Sequence, residues 1–148
     1  MQGADVTLSI CLRCRDGQER DATLDQRGGR RLARAVQARF AGSEADRLGV
    51  SLRGVHCMSQ CKRPCTIALT GPDRFTYVFG DLDPSAHAPD VLSVAAAYAS
   101  TPTGFLPRGE RPVVLQSGIL GRIPPLGFAD DLVETLDHRQ PAKETDPS

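Results

Sequence analysis

The chain has 148 residues, 40% hydrophobic and 24% charged, with 18 Lys/Arg balancing 18 Asp/Glu, which describes one soluble domain of ordinary size. A domain of this length buries roughly 70% of its unfolded surface and needs no disulfide staples, and its five cysteines, an odd number, suit a disulfide framework poorly. No apolar run approaches the ~20 residues of a membrane span, and MQGADVTLSI lacks the basic-then-apolar order of a secretory signal.

The expected location is therefore the cytoplasm, where clustered cysteines serve metal or redox chemistry. Neither a membrane nor a nucleic acid is expected as a partner. Residues 6–10 alternate apolar and polar positions and predict a strand running directly into Cys11. Residues 15–29 are polar and end in Gly28-Gly29, the composition of a loop. Leu32, Ala35, Val36 and Phe40 share one face at helical spacing, with Arg30, Arg31 and Arg34 away from it, and Gly42 marks the stop. Arg39 falls on the apolar side and has to snorkel outward. Residues 50–56 alternate as a second strand, with Val50, Leu52 and Val55 as its buried set, and deliver the chain to Cys57.

Residues 66–69 and 75–79 flank the turn Gly71-Pro72-Asp73, a hairpin signal. Residues 88–100 predict a second helix that buries Val91, Leu92, Val94, Ala95 and Tyr98. The metal-binding domain is expected over residues 1–101. Residues 102–126, rich in Pro and Gly, form an extension packed on it, with Val113-Val114-Leu115 as an extended piece. Residues 127–148 open with a short helix carrying Phe128, Leu132 and Leu136 and end in a disordered tail.

This order, β-α-β then β-β-α, predicts an α/β fold of thioredoxin-like arrangement with a C-terminal extension. The first two strands of a β-α-β unit are parallel, so their C-terminal ends lie at one edge of the sheet, where open α/β sheets place their ligands. The element order alone thus brings Cys11/Cys14 and Cys57/Cys61 together across 42 intervening residues. Charge is uneven as well. Residues 1–65 carry 12 Lys/Arg against 7 Asp/Glu, and residues 66–148 carry 6 against 11. Every cysteine lies in the basic half, with Arg13, Arg15, Lys62 and Arg63 in or beside the cysteine segments. Those four cations point to an acidic partner, whereas Arg30, Arg31 and Arg34 suit a solvated helix face.

The cysteines read C-x2-C at 11 and 14 and C-x3-C-x3-C at 57, 61 and 65. Such spacing lets one loop supply two thiolates to one metal, and Pro64 bars the second trio from one regular helix. Several chemistries use it. Four thiolates enclose a [2Fe–2S] cluster. They also hold zinc, although CLRC lacks the Gly or Pro common at zinc-knuckle turns. A dithiol oxidoreductase needs its helix to start at the motif, and here RDGQERDATLDQRGG intervenes. Merely buried thiols fit poorly with polar neighbours. Cys65 precedes the apolar TIAL and suits a core position as well as a ligand. His56 neighbours Cys57 and is expected on the solvent face. Asp81 and Asp83 read as a strand exit and a cap before Pro84. No Ser/His/Asp set and no phosphate-binding glycine pattern is present, and four thiolates would leave a metal no open coordination site, so a one-electron carrier and not an enzyme is the first expectation, ahead of a zinc-binding module and a thiol oxidoreductase.

The segment VHCMSQCKRPCTIAL resembles the second ligand loop of thioredoxin-like [2Fe–2S] ferredoxins and of the small cluster-bearing subunit of respiratory NADH dehydrogenase. Over roughly residues 5–126, including GDLDP and GFLPRGERPVVLQSGILGRIPP, the chain is similar to a bacterial family of predicted metal-binding proteins, domain of unknown function 1636. The ferredoxin resemblance implies a [2Fe–2S] cluster on Cys11, Cys14, Cys57 and Cys61, with Cys65 a further candidate. It also implies a one-electron carrier with an acidic redox partner. The family resemblance adds an association with cobalamin or cobalt metabolism, by analogy only. The chain departs from the ferredoxins in its closer first pair and in its extra Cys65.

Overall fold

The computed structural model describes residues 5–15, 23, 26–60 and 62–136. Five strands form one sheet: β1 (Thr7–Cys11), β2 (Ser51–Val55), β3 (Ile67–Thr70), β4 (Thr76–Phe79) and β5 (Ile119–Ile123), in the spatial order β2-β1-β3-β4-β5. The pair β1/β2 is parallel and every other neighbouring pair is antiparallel. The parallel pair is bridged by α1 (Gly28–Phe40) and by the one-turn α2 (Glu44–Arg47), while α3 (Ala88–Ser100) and the short α4 (Val114–Ser117) follow β4. The β-α-β and β-β-α halves thus stand in the predicted thioredoxin-like order.

Leu8, Leu69 and Tyr77 share one register row, and Ile10, Ile67 and Phe79 share the next. All six are buried on the face covered by α1 and α3. There the Tyr77 ring meets Tyr98 of α3 edge-on at 6.4 Å, and the Tyr98 hydroxyl donates to the Phe75 carbonyl. Ser9 and Ala68 occupy the opposite face, and Arg53 of β2 reaches across to donate from Nε to Ser9 Oγ at 2.7 Å. Both faces of β1 are therefore covered, and Leu8, Ser9, Ile10 and Cys11 are all buried. The in–out alternation expected there does not hold, because β1 is interior and not an edge.

The predicted helices match α1 and α3, with Leu32 and Val36 buried, Arg39 exposed and Gly42 in the left-handed region at φ +81°. Four elements differ from expectation. The one-turn α2 lies where no element was predicted. Its Ser43 Oγ accepts from the Asp46 N–H at 3.2 Å, and Asp46 Oδ2 accepts from the Gly42 N–H at 2.9 Å, a reciprocal cap. Val113-Val114-Leu115 is not extended but opens α4, because Pro112 sits at the start of a helical turn, where its missing N–H costs nothing. Residues 127–136 hold no helix, and Phe128 instead packs edge-on against Phe75 at 5.0 Å. The tail from 137 lies outside the described residues. Residues 102–126 do more than cover the domain, since they supply β5 beside β4. Among the described residues no helix is long and apolar enough to cross a membrane.

Candidate functional site

The cysteine segments meet where β1 and β2 end. Cys11 closes β1 opposite Val55, the Leu12 N–H donates to the Val55 carbonyl at 2.7 Å, and the Cys11 N–H donates to the Thr66 carbonyl at 2.9 Å. The first cysteine segment is thus held on one side by the strand that leads to Cys57 and on the other by the residue after Cys65.

The N-terminus of α1 packs directly onto this first segment. The Gly29 N–H donates to the Cys14 carbonyl at 2.9 Å. A Cβ on Gly29 would stand 2.0 Å from the Cys11 carbonyl oxygen and 3.1 Å from the Cys14 nitrogen, so only glycine fits this approach. The paired glycines read in sequence as loop punctuation are the first turn of the helix. Their role is close contact, and they place the positive end of the helix dipole against the backbone of the first cysteine segment.

Cys11 and Cys14 are both buried, at 2% and 3% exposure. The Cys14 thiol donates to the Cys11 sulfur, and this bond is the main reason the Cys11 thiol is held down at about 5, well below the usual thiol range. Burial opposes the shift, while the backbone N–H groups of Arg13, Met58 and Cys14 reinforce it. Cys14 is pushed up as the donor of that bond, and burial pushes it the same way. It also lies 3.8 Å from Thr66 Oγ1, which donates onward to the Arg63 carbonyl at 3.1 Å. The Met58 contact joins the two cysteine segments, since a backbone donor beside Cys57 reaches the Cys11 sulfur. Sequence reasoning did not find Met58 or Thr66, because both act through atoms whose placement depends on the assembled sheet.

Cys57 is exposed. Its sulfur accepts from the Ser59 N–H at 3.4 Å, and Ser59 adopts φ 60°, so the chain curls back around that sulfur. Cys65 is fully buried in the core. Cys61 lies outside the described residues. Among the described residues, the cysteines form no disulfide, and no three His, Cys, Asp or Glu side chains are gathered for a metal ion. The structure therefore brings Cys11 and Cys14 together, sets Cys57 beside the residue that reaches them, and places Cys65 in the core.

The loop between Cys57 and Cys65 is anchored at Arg63. Its guanidinium meets Asp81 Oδ2 through Nε at 2.8 Å and Nη2 at 2.5 Å, and its carbonyl accepts from the Asp81 N–H at 3.4 Å. A Cβ on Gly80 would come within 2.5 Å of the Arg63 carbonyl oxygen. Gly80 in turn donates to the Gly118 carbonyl at 2.8 Å, just before β5. Arg63, one of the four cations in or beside the cysteine segments, is thus paired with Asp81, which offsets its charge. Arg13, Arg15, Lys62 and His56 are exposed. Asp83 caps the turn before α3 as expected, its Oδ1 accepting from the Ser85 N–H at 2.7 Å.

The model of a protein family described as "Protein of unknown function (DUF1636)" matches residues 8–125. None of the curated proteins matches the chain. Among solved structures, a thioredoxin-like [2Fe-2S] ferredoxin from Aquifex aeolicus is similar, with a TM-score of 0.52 and 15% identity, covering 86% of this chain and 100% of that one. At that identity the likeness is one of fold.

Proposed function

The chain belongs to the DUF1636 family, and we propose that it is a thiolate-ligated metal-binding protein of the ferredoxin kind, carrying a [2Fe–2S] cluster on Cys11, Cys14, Cys57 and Cys61. The observation that carries this reading is the parallel pairing of β1 with β2, which sets Cys11 opposite Val55, two residues before Cys57, and so brings the two cysteine segments together at one sheet edge. The donor chemistry fits such a centre. Cys11 is poised as a thiolate, and backbone N–H groups point at both Cys11 and Cys57. Donors of this kind stabilise anionic sulfur whether it faces solvent or metal. When bound, the cluster supplies a one-electron couple. Cys11 and Cys14 would hold one iron, and Cys57 with Cys61 the other. Four thiolates leave no open coordination position, so the protein carries electrons and does not rearrange bonds.

Two other chemistries use the same residues. Zinc on the four cysteines would make a structural or regulatory module. A thiol–disulfide oxidoreductase is favoured by the Cys14-to-Cys11 hydrogen bond and by the helix end at Gly29. However, both sulfurs are buried, which leaves a protein disulfide no approach. Anaerobically purified protein is expected to hold about two irons and two acid-labile sulfides per chain. Stoichiometric zinc without labile sulfide, from iron-replete cells, would overturn the cluster and establish the zinc module.

The proposed setting is the cytoplasm, with an acidic redox partner. Exposed Arg13, Arg15 and Lys62 flank the cysteine segments, and docking on them is steered over a screening length of about 10 Å at 0.1 M salt. Reversing Arg13 and Lys62 to Glu is expected to slow stopped-flow electron transfer with a purified partner while the visible cluster spectrum stays unchanged. Rates that stay flat after the double reversal and across salt concentrations would reject this docking face.

A further inference from the structure

We propose that the outer edge of β2 is a docking strand for an extended, acidic segment of a partner protein, which joins the sheet beside the cysteine segments. Among the described residues, β2 is at the end of the sheet and has one neighbour. The Ser51 N–H donates to the Val6 carbonyl at 2.9 Å, and the Val55 carbonyl accepts from Leu12 at 2.7 Å. The N–H and C=O of one strand residue point to the same side, so residues 51, 53 and 55 face β1. Leu52 and Gly54 therefore turn their N–H and C=O outward. Sheet edges are usually blunted by Pro, by a bulge or by charged side chains that project past the strand. β2 has no Pro, and its register with β1 is unbroken. Its one charged side chain, Arg53, is drawn inward to Ser9 Oγ.

The surroundings select what can add there. On the helix side, Leu12, Ala33, Leu52 and Ile10 line a cavity of about 120 Å³ whose rim carries Arg30 and Gln37. This is room for one aliphatic side chain. Arg53 and Gly54 also line the cavity, and the Arg53 guanidinium turns to the opposite side, where its Nε donates to Ser9 Oγ. Among the described residues neither Arg30 nor Arg53 meets a carboxylate, and the buried Arg30 Nε has no hydrogen-bond partner. A strand added to β2 places alternate side chains on the two faces. One set falls on the cavity and the other on Arg53, so the complementary sequence alternates aliphatic with acidic residues. A second copy of β2 would set Arg53 against its own image, and like charges directly opposite destabilise such a pair. Because β2 ends two residues before Cys57, a strand docked here lies beside the cysteine segments.

The test is hydrogen–deuterium exchange of the full chain, read by mass spectrometry at labelling times of seconds. The probes are two capped synthetic heptapeptides, one alternating Glu and Val and the other Lys and Val. The Glu/Val peptide is expected to remove about two amides of fast exchange from residues 50–56, corresponding to Leu52 and Gly54. The Lys/Val peptide should remove none, about 1 M salt should abolish the protection, and Arg53→Glu should transfer the preference to the Lys/Val peptide. Equal protection by both peptides, protection at 119–123 instead, no protection at millimolar peptide, or protection that grows with protein concentration alone would each overturn the proposal. Salt-independent protection of the unaltered chain would reject the acidic partner even if Arg53→Glu failed to fold. The exchange readout is the same whether the cysteines hold iron, zinc or no metal, so failure of the cluster reading leaves this test intact.

Discussion

Cys57→Ala protein, purified anaerobically, is expected to lose most of its iron and labile sulfide, whereas Cys65→Ala keeps them. The two cysteines are eight positions apart but occupy different environments. Cys57 is exposed, its sulfur accepting from Ser59, and it adjoins the residue whose N–H meets the Cys11 sulfur. In the proposed centre, removing it opens a coordination position. Cys65 is fully buried among core residues. Its truncation removes packing, which costs about 1 kcal/mol for a small side chain, and this should appear as a lower denaturation midpoint with metal content preserved. Metal and sulfide analysis beside a urea titration separates the two effects. If Cys65→Ala empties the site while Cys11→Ala and Cys14→Ala leave it full, the ligands are the 57/61/65 trio and not Cys11 and Cys14.

The second large effect is expected at a position with no side chain. Gly29→Ala should destabilise the fold by about 3 kcal/mol or more and should impair metal retention as well. The new methyl would stand 2.0 Å from the Cys11 carbonyl oxygen and 3.1 Å from the Cys11 carbonyl carbon and the Cys14 nitrogen. All three are backbone atoms of the cysteine segment and cannot rotate away, so this overpacking lies at or beyond the upper end of the usual range. Relief requires α1 to retreat, which breaks the Gly29-to-Cys14 hydrogen bond and moves both sulfurs. Gly109→Ala provides the control. Nothing lies within 4 Å of its Cβ, and a change within about 0.5 kcal/mol is expected. Equal unfolding midpoints for Gly29→Ala and the parent chain would show that α1 does not press on the cysteine segment.

These two positions show how far the sequence could be read. The meeting of the Cys11 and Cys57 segments followed from element order alone, because a β-α-β crossover forces its strands to be parallel and their ends to coincide. The hairpin at Gly71-Pro72-Asp73 and the helix at 88–100 were legible because their signals are local. Gly29 was not, because a glycine that permits contact with a distant backbone looks the same in sequence as one that punctuates a loop. The Arg63–Asp81 pair was not legible for a related reason: the carboxylate lies 18 residues further on, at the exit of β4. The short α2 could have been read, since Ser43 followed three residues later by Asp46 is a capping pattern. The strand β5 could not. Its residues, ILGRI, alternate weakly around a glycine, and only the neighbouring β4 makes them a strand.

The contact from Gly118 through Gly80 to Arg63 bears on how the protein is made. The ribosome releases Cys11 and Cys14 early and the loop from Cys57 to Cys65 some fifty residues afterwards. The strand that braces this loop from behind is finished only at Ile123. Until then Gly80 has no Gly118 to hold it, and the loop lacks its support. Nascent chains halted before β5 should therefore present an accessible Cys65 thiol, which the finished protein buries. For the proposed centre, loading then belongs to the end of synthesis.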